Sequence, residues 1–362
     1  MFDFIPIQQY TPLYYHLMFV NVLLVLLHLF SFGYNNRRNI IFLKYFGIFN
    51  LMFVLLYMGL RPNHAVFVDM RGYGFNFTKY QHGNFVRLEK GSDYLFELFT
   101  LICSQITNLT GYFFICTLIY VYPLYKLSKK WFGNYWFYAF LMLIVSFSFW
   151  SYGTNGIRNG LASAIFIFAL TRNKFWHQIL FLIIAIGFHK SMLLPTFGYL
   201  FAYSKITSRK LLYFWVLCIP LSLVGGNFFE NLFANLGFDE RLSYLTDDRF
   251  DQLFSSSGFR WDFLFYSAIP VIVGWYFLIR KKWQNQQFEK LYKTYLVANG
   301  VWILIIEASF SNRFAYLSWF LMGVIVIYPI LKYSMDNAVR SKLIAHIILL
   351  YFLFTYTLNV IL

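Results

Sequence analysis

Long apolar runs return along almost the whole chain, and they restrict its fold more than any other feature. Stretches at about 11–33, 40–60, 109–127, 134–152, 156–171, 211–229, 261–279, 293–308, 314–332 and 341–361 consist almost wholly of aliphatic, aromatic and small residues. A helix crossing about 30 Å of hydrocarbon needs roughly 20 such residues. Two shorter runs lie between 175 and 204, interrupted by His189-Lys190-Ser191. They read either as two short helices meeting at that turn or as a re-entrant hairpin. Counted as two, they bring the expectation to about 12 spans. Backbone polar groups must pair internally in lipid, so the expected fold class is an all-α, polytopic membrane bundle.

Composition agrees. Charged residues make up 12% and hydrophobic residues 59% of 362 positions, where a soluble domain carries roughly 25% charged residues. A soluble fold of this length could not hide that much apolar surface. Cys103, Cys116 and Cys218 are scattered in or beside apolar runs, which gives neither a metal spacing nor a disulfide framework. Met1 to Pro12 carries Asp3 and no basic residue, and the run from Leu13 to Phe32 is too long for a cleavable signal, so it reads as a spanning helix.

The net charge of +15 is not gathered into a basic arm or tail, so nucleic acid is not an expected partner. Its distribution instead orients the chain. Alternate connections hold Arg37, Arg38 and Lys44; Lys126, Lys129 and Lys130; Arg172 and Lys174; Lys205, Arg209 and Lys210; the cluster from Arg280 to Lys293; and Lys332, Arg340 and Lys342. Those connections carry 19 of the 30 basic residues and only Glu289 and Asp336 of the 15 acidic ones. The positive-inside rule places them in the cytoplasm and both termini outside. Two long external loops, at about 61–92 and 230–260, then hold most of the acidic residues. With no repeat, linker or P-loop visible, residues 1–362 read as a single transmembrane domain.

Residues 94–108 are expected to form an amphipathic helix in the outer interface. Glu97, Thr100, Ser104 and Asn108 recur on one side, opposite Leu95, Phe99, Ile102 and Ile106. It reads as a brace over the bundle or as an entry ramp for a lipid-linked substrate.

Ionisable groups at membrane depth cost roughly 2.5–3.5 kcal/mol each, so they mark function or a buried partner. In the segment 155–163, Asn155, Arg158, Asn159 and Ser163 share a helix face, while Gly156 and Gly160 offer a face for close packing. Arg158 at the start of that helix suits an anion such as a phosphate; alternatively it snorkels to the headgroups. His189 in the break Phe188-His189-Lys190-Ser191 suits a general base or a hydrogen-bonded turn residue, and Lys190 adds positive charge. A third site is the turn from Glu307 to Arg313. The fourth is the first external loop, with Arg61, His64, Asp69, Arg71, Tyr73, Tyr80, Arg87, Glu89 and Lys90. No metal-ligand spacing and no Ser-His-Asp arrangement is apparent, and no cofactor is expected. Several cations, a histidine in a membrane-facing break and many aromatics point to a lipid-pyrophosphate-linked glycan.

On these residues the chain resembles the EpsG-like group of bacterial polysaccharide polymerases, functionally of Wzy type. The matching features are, in order, Asp69 with Tyr73 and Tyr80, the segment from Asp93 to Asn108, Arg158-Asn159 with Ala162, Phe188-His189-Lys190-Ser191, and Asn312-Arg313. Asn159 departs from the Gln associated with the family, but it keeps an amide. The resemblance implies a glycosyltransferase of the bacterial cytoplasmic membrane. It would transfer a growing chain from undecaprenyl pyrophosphate onto a fresh lipid-linked repeat unit outside the cytoplasm, for O-antigen, capsule or exopolysaccharide. Its partners would be undecaprenyl-pyrophosphate-linked oligosaccharide, membrane lipid, and the flippase and chain-length regulator of the same pathway. His189, Arg158 and Asp69 are the catalytic candidates. Arg158, Arg313, Lys190, Arg71, Asn155, Asn159, Ser191 and Tyr73 are candidates for binding substrate or pyrophosphate. A flippase and a GT-C-type lipid-phosphate-dependent glycosyltransferase are the alternatives.

Overall fold

The computed structural model describes residues 2, 4–83, 93–235, 258–308 and 311–361. All regular structure among them is helical. Six helices are long and apolar enough to cross a membrane, or seven if one bent pair is a single span. The helical membrane bundle expected above is therefore present, while helix length and composition among the described residues do not by themselves establish the expected count of about 12 spans. Three apolar helices are shorter than a usual span: Tyr94–Ile106, Ile157–Leu170 and Phe175–Phe188. The chain divides into two compact units, Met1–His189 with Ile330–Leu362, and Lys190–Pro329.

In the first unit, α1 (Tyr10–Phe32) packs on α2 (Arg37–Gly59) through a reciprocal clamp. Tyr10 donates to the Tyr57 carbonyl at 2.7 Å, Tyr57 donates to that of Tyr10 at 2.8 Å, and their rings stack at 4.4 Å. Such phenols suit a lipid environment because the ring is apolar and the hydroxyl finds a partner. Residues 61–92, expected as a loop, contain helix α3 (Met70–Gln81). Gly72 and Gly74 give this segment poor helix propensity, so tertiary packing supplies what the local sequence lacks: Phe77 lies against Tyr112, and Tyr73 against Phe96. Arg87, Glu89 and Lys90 of the same stretch, like most of 230–260, lie outside the described residues.

Helix α4 (Tyr94–Ile106) is the anticipated amphipathic helix, and its polar side faces the protein. Thr100 and Ser104 are buried, whereas Ile102 is 52% and Ile106 70% exposed. In water the opposite orientation would hold, so the reversed sidedness fits a helix with hydrocarbon on its outer side. Tyr80 on α3 donates to Glu97 on α4 at 2.6 Å. Burial, with the Glu97 carboxylate beside it, raises the Tyr80 phenol above its ordinary range.

Next come α5 (Leu109–Phe132), α6 (Trp136–Ile144) and α7 (Phe147–Thr154). The run 134–152, expected as one span, is thus two short helices, with a 72° bend at the break. Ser146 donates to the Leu143 carbonyl at 2.8 Å, the kind of local bond that competes with helix continuation. The carbonyl of Ile144, left without a helical partner at the break, accepts from Tyr14 on α1 at 2.7 Å. Helices α8 (Ile157–Leu170) and α9 (Phe175–Phe188) follow as packed neighbours joined by four residues.

The second unit begins with a single turn of 3-10 helix, Lys190–Met192, then α10 (Leu193–Phe201) and α11 (Ser208–Asn235), which kinks at Gly225. The break at 189–191 therefore separates two short helices. After α12 (Trp261–Gly274, extended to Arg280 by a π-helical turn) comes α13 (Gln286–Leu304), which is buried over most of its length. Close approach to α13 relies on glycines: a Cβ on Gly274 would fall 2.1 Å from the Tyr292 ring, and one on Gly300 2.7 Å from Phe214. The fully buried Asn299 ties this unit together. It accepts from the Trp215 indole at 2.8 Å and donates to Ser318 at 3.0 Å and Ser267 at 3.2 Å. Helices α14 (Asn312–Trp319) and α15 (Met322–Lys332) return the chain to the first unit, where α16 (Asn337–Tyr356) packs on α1.

Candidate functional site

Two helices of fourteen residues set the height of the site. At 1.5 Å per residue each rises about 21 Å, short of a hydrocarbon core of about 30 Å. Because α8 and α9 pack side by side and share a short connection, the start of α8 and the end of α9 come to one level. Arg158 stands on the first turn of α8, and His189 caps the end of α9, its amide donating to the Ala185 carbonyl at 3.0 Å. The register of α8 depends on Gly160, where a Cβ would lie 2.4 Å from the Tyr152 carbonyl oxygen of α7. Gly156 is also in close contact with Tyr152. The small-residue face read from the sequence is therefore used.

Helix α4 brings the third group. It packs against α3 and against α9, where Leu95 fills the space over Gly187 and Phe96 and Phe99 meet Phe188. That docking puts Asp93, the residue just before α4, over the ends of α8 and α9. Its Oδ2 accepts from Arg158 Nη1 at 2.9 Å and lies 3.8 Å from His189 Nε2. Side-chain exposure is 8% for Asp93, 18% for Arg158 and 6% for His189. One carboxylate oxygen is thus shared between a guanidinium and an imidazole in a mostly dehydrated setting, where such contacts are stronger than in water.

Tyr73 on α3 completes the cluster, its phenol lying within electrostatic reach of the Arg158 guanidinium. Burial raises the Tyr73 phenol above its ordinary range and the Arg158 charge works against that shift, so the phenol is neutral near pH 7. Arg158 and Asn159 are half-buried and Ser163 is buried on α8, whereas Asn155, also half-buried, lies before that helix at the end of α7, off the single face expected of the four. Two buried polar atoms here, Asn155 Oδ1 and Arg158 Nε, make no hydrogen bond. Unused hydrogen-bonding capacity beside a charge cluster is a feature of sites that receive a polar ligand.

The other candidates lie elsewhere. Asp69 is exposed at the start of α3, one turn before Tyr73, and the carboxylate placed between Arg158 and His189 is Asp93. Asp93 is not among the site residues expected from the sequence, where nothing marks a lone acid at the N-cap position of an amphipathic helix as different from an ordinary cap. Here its side chain makes no capping bond. Arg71 is exposed and lines a cavity of about 360 Å³ with Asn63, His64 and Thr78. Arg61 is buried, donating to the Met58 carbonyl at 2.6 Å with Phe67 and Phe113 against its guanidinium. In the second unit, Lys190 and Ser191 are half-buried in the 3-10 turn and Arg313 is exposed on the first turn of α14. Among the described residues no three His, Cys, Asp or Glu side chains group in a way that could hold a metal ion.

Long apolar helices, an amphipathic helix with its polar side inward and a dehydrated Arg–Asp–His cluster at the end of two short helices define a polytopic membrane protein with a charged internal site. The EpsG family model matches residues 46–362, nearly the whole chain and all of this cluster, and the protein belongs to the EpsG family. That membership carries a polysaccharide-polymerase type of function. No curated protein and no solved structure matches the chain.

Proposed function

We propose that the protein is a glycosyltransferase that polymerises lipid-linked glycan repeat units on the outer side of the bacterial cytoplasmic membrane. The growing chain would move from undecaprenyl pyrophosphate to a hydroxyl of a newly arrived lipid-linked unit. The observation that carries the reading is the shared Asp93 carboxylate between Arg158 and His189, in a chain of the EpsG family. The charge asymmetry of the connections supports the orientation, because the basic loops would stay in the cytoplasm.

The chemistry needs a cation for a leaving pyrophosphate and a base for an attacking hydroxyl. Arg158 sits at the positive end of the α8 dipole, where free N–H groups also point. In the structure the Asp93 carboxylate is the anion beside Arg158. Pyrophosphate oxygens compete for Arg158 with their larger charge and bidentate geometry. As Arg158 turns to the phosphate, Asp93 becomes the partner of His189. The acceptor hydroxyl gives its proton to His189, its oxygen bonds to the anomeric carbon, and the anomeric carbon–oxygen bond to pyrophosphate breaks. Asp93 and the negative end of the α9 dipole stabilise the imidazolium that forms. Arg158 stabilises the departing pyrophosphate, and neutral Tyr73 holds the guanidinium in place. Binding of the donor thereby arms the base.

The test is deletion of the gene in its glycan-producing host, followed by gel analysis of the surface polysaccharide. Wild type should restore a ladder of lengths, and Arg158→Ala and His189→Ala, inserted at normal levels, should leave a single repeat unit. Loss of even that unit in the deletion strain would indicate a flippase or an earlier transferase, and an unchanged ladder would remove the glycan reading.

A further inference from the structure

At the other end of α8 from Arg158 there is a second charged site that the polymerase chemistry does not use. Lys126 and Lys130 from the end of α5 converge with Arg172, Lys174 and His177 around a cavity of about 310 Å³, whose floor includes Thr171. No acidic residue lines it, and among the described residues none of these cations is paired with a carboxylate. Lys130 is held by hydrogen bonds to the Thr171 carbonyl and the Asn173 side chain. Arg172 is held by Thr171 Oγ1 at 2.6 and 3.1 Å and by the Phe168 ring, 4.0 Å from the centroid. Like charges that only set topology would splay apart into solvent. Here two of them are fastened, pointing into a shared space, which is favourable when an anion fills it.

The surroundings identify the kind of anion. Next to the cavity-lining His177, α9 presents Trp176, 77% exposed, followed at helical spacing by Leu180 and Ile183, both exposed. Leu118 and Tyr122 are exposed along α5. An indole at the level of a basic pocket, with an apolar stripe running away from it, matches a headgroup at the interface with its acyl chains along the helices. We propose that this cavity binds the phosphate of an anionic membrane phospholipid and so anchors the base of the α8–α9 pair that carries Arg158 and His189.

The test is native mass spectrometry of the purified full chain, exchanged into micelles doped with phosphatidylglycerol or with phosphatidylcholine of the same chain length. Wild type should retain one phosphatidylglycerol in preference to phosphatidylcholine. Retention should fall about tenfold in Lys130→Gln/Arg172→Gln and not in Arg209→Gln/Lys210→Gln, a pair in a different basic connection. Should the first variant misfold, Lys126→Gln/Lys174→Gln removes two exposed charges that make no described hydrogen bond and should lower retention several-fold. Equal retention of both lipids, or retention unchanged in the cavity variants, would overturn the proposal. In a parallel thermal-unfolding series, stabilisation by inorganic phosphate but not by phosphatidylglycerol would assign the cavity to a soluble phosphate and overturn the lipid assignment.

Discussion

Arg158 and Asp93 are 65 residues apart in the chain and 2.9 Å apart in the structure, joined at the point where α4 docks over the ends of α8 and α9. The same Asp93 oxygen lies 3.8 Å from His189, so the pair also links the start of one helix, proposed to bind an anion, with the proposed base at the end of the other. Substituting either partner is expected to affect both proposed roles.

Arg158→Ala should lose activity and stability together, because Asp93 would remain dehydrated without a countercharge, at a cost of roughly 3–5 kcal/mol. Asp93→Asn/Arg158→Gln should recover most of the thermal stability and none of the polymer. Thermal unfolding in detergent and the polysaccharide ladder, measured on the same variants, check this. A double variant that still makes long glycan would show that the pair is only structural.

Asp93→Asn alone should lower the polymerisation rate by about 10²–10³-fold, since His189 loses the carboxylate that stabilises its protonated form. Asp69→Asn, at an exposed position before α3, should stay close to wild type. The comparison is made with purified protein and a lipid-linked repeat unit, following chain growth over time. Reversal of the two outcomes would return the role to Asp69.

Tyr73→Phe removes the hydroxyl that steadies Arg158 and should reduce the rate about tenfold. The burial-raised phenol has a folded value above its unfolded one. Its contribution to stability is therefore full at pH values below about 10 and is lost as pH climbs through the raised value. The ratio of wild-type to Tyr73→Phe rates should accordingly be constant between pH 6 and 8 (about the range near neutrality in which the phenol is un-ionised). A ratio that changes across that window would contradict the assignment.

Gly160→Val places new atoms where the Tyr152 carbonyl already lies within 2.4 Å of a Cβ. The α7–α8 contact must open, costing about 1–3 kcal/mol, and a shift of about 1 Å at Arg158 should cost about 10²-fold in rate. Activity should thus fall far more than protein level in the membrane does.

Asn299→Leu in the second unit should destabilise by about 1–3 kcal/mol, because the buried Trp215 indole loses its acceptor. The loss should appear as a lower unfolding temperature. An unchanged midpoint would show that the hydrogen bonds through Asn299 are energetically idle.

Sequence alone determined that the chain is helical and membrane-embedded, because hydrocarbon forces backbone groups to pair locally and demands long apolar runs, both visible residue by residue. It also singled out Arg158 and His189, since an ionised or ionisable group inside an apolar run stands out against its neighbours. It could not show where such runs break. The stretch 134–152 is mostly apolar, yet it divides at Ser146, where Tyr14, more than a hundred residues earlier, donates to the freed Ile144 carbonyl. Nor could it show that 70–81 is a helix, since two glycines there argue otherwise and only packing on α4 and α5 overrides them. Most of all, tertiary structure decided which carboxylate lies beside Arg158 and His189. Asp69 and Asp93 are equivalent as letters in a polar stretch, and only the docking of α4 against α9 dehydrates one of them between a guanidinium and an imidazole while the other stays in solvent.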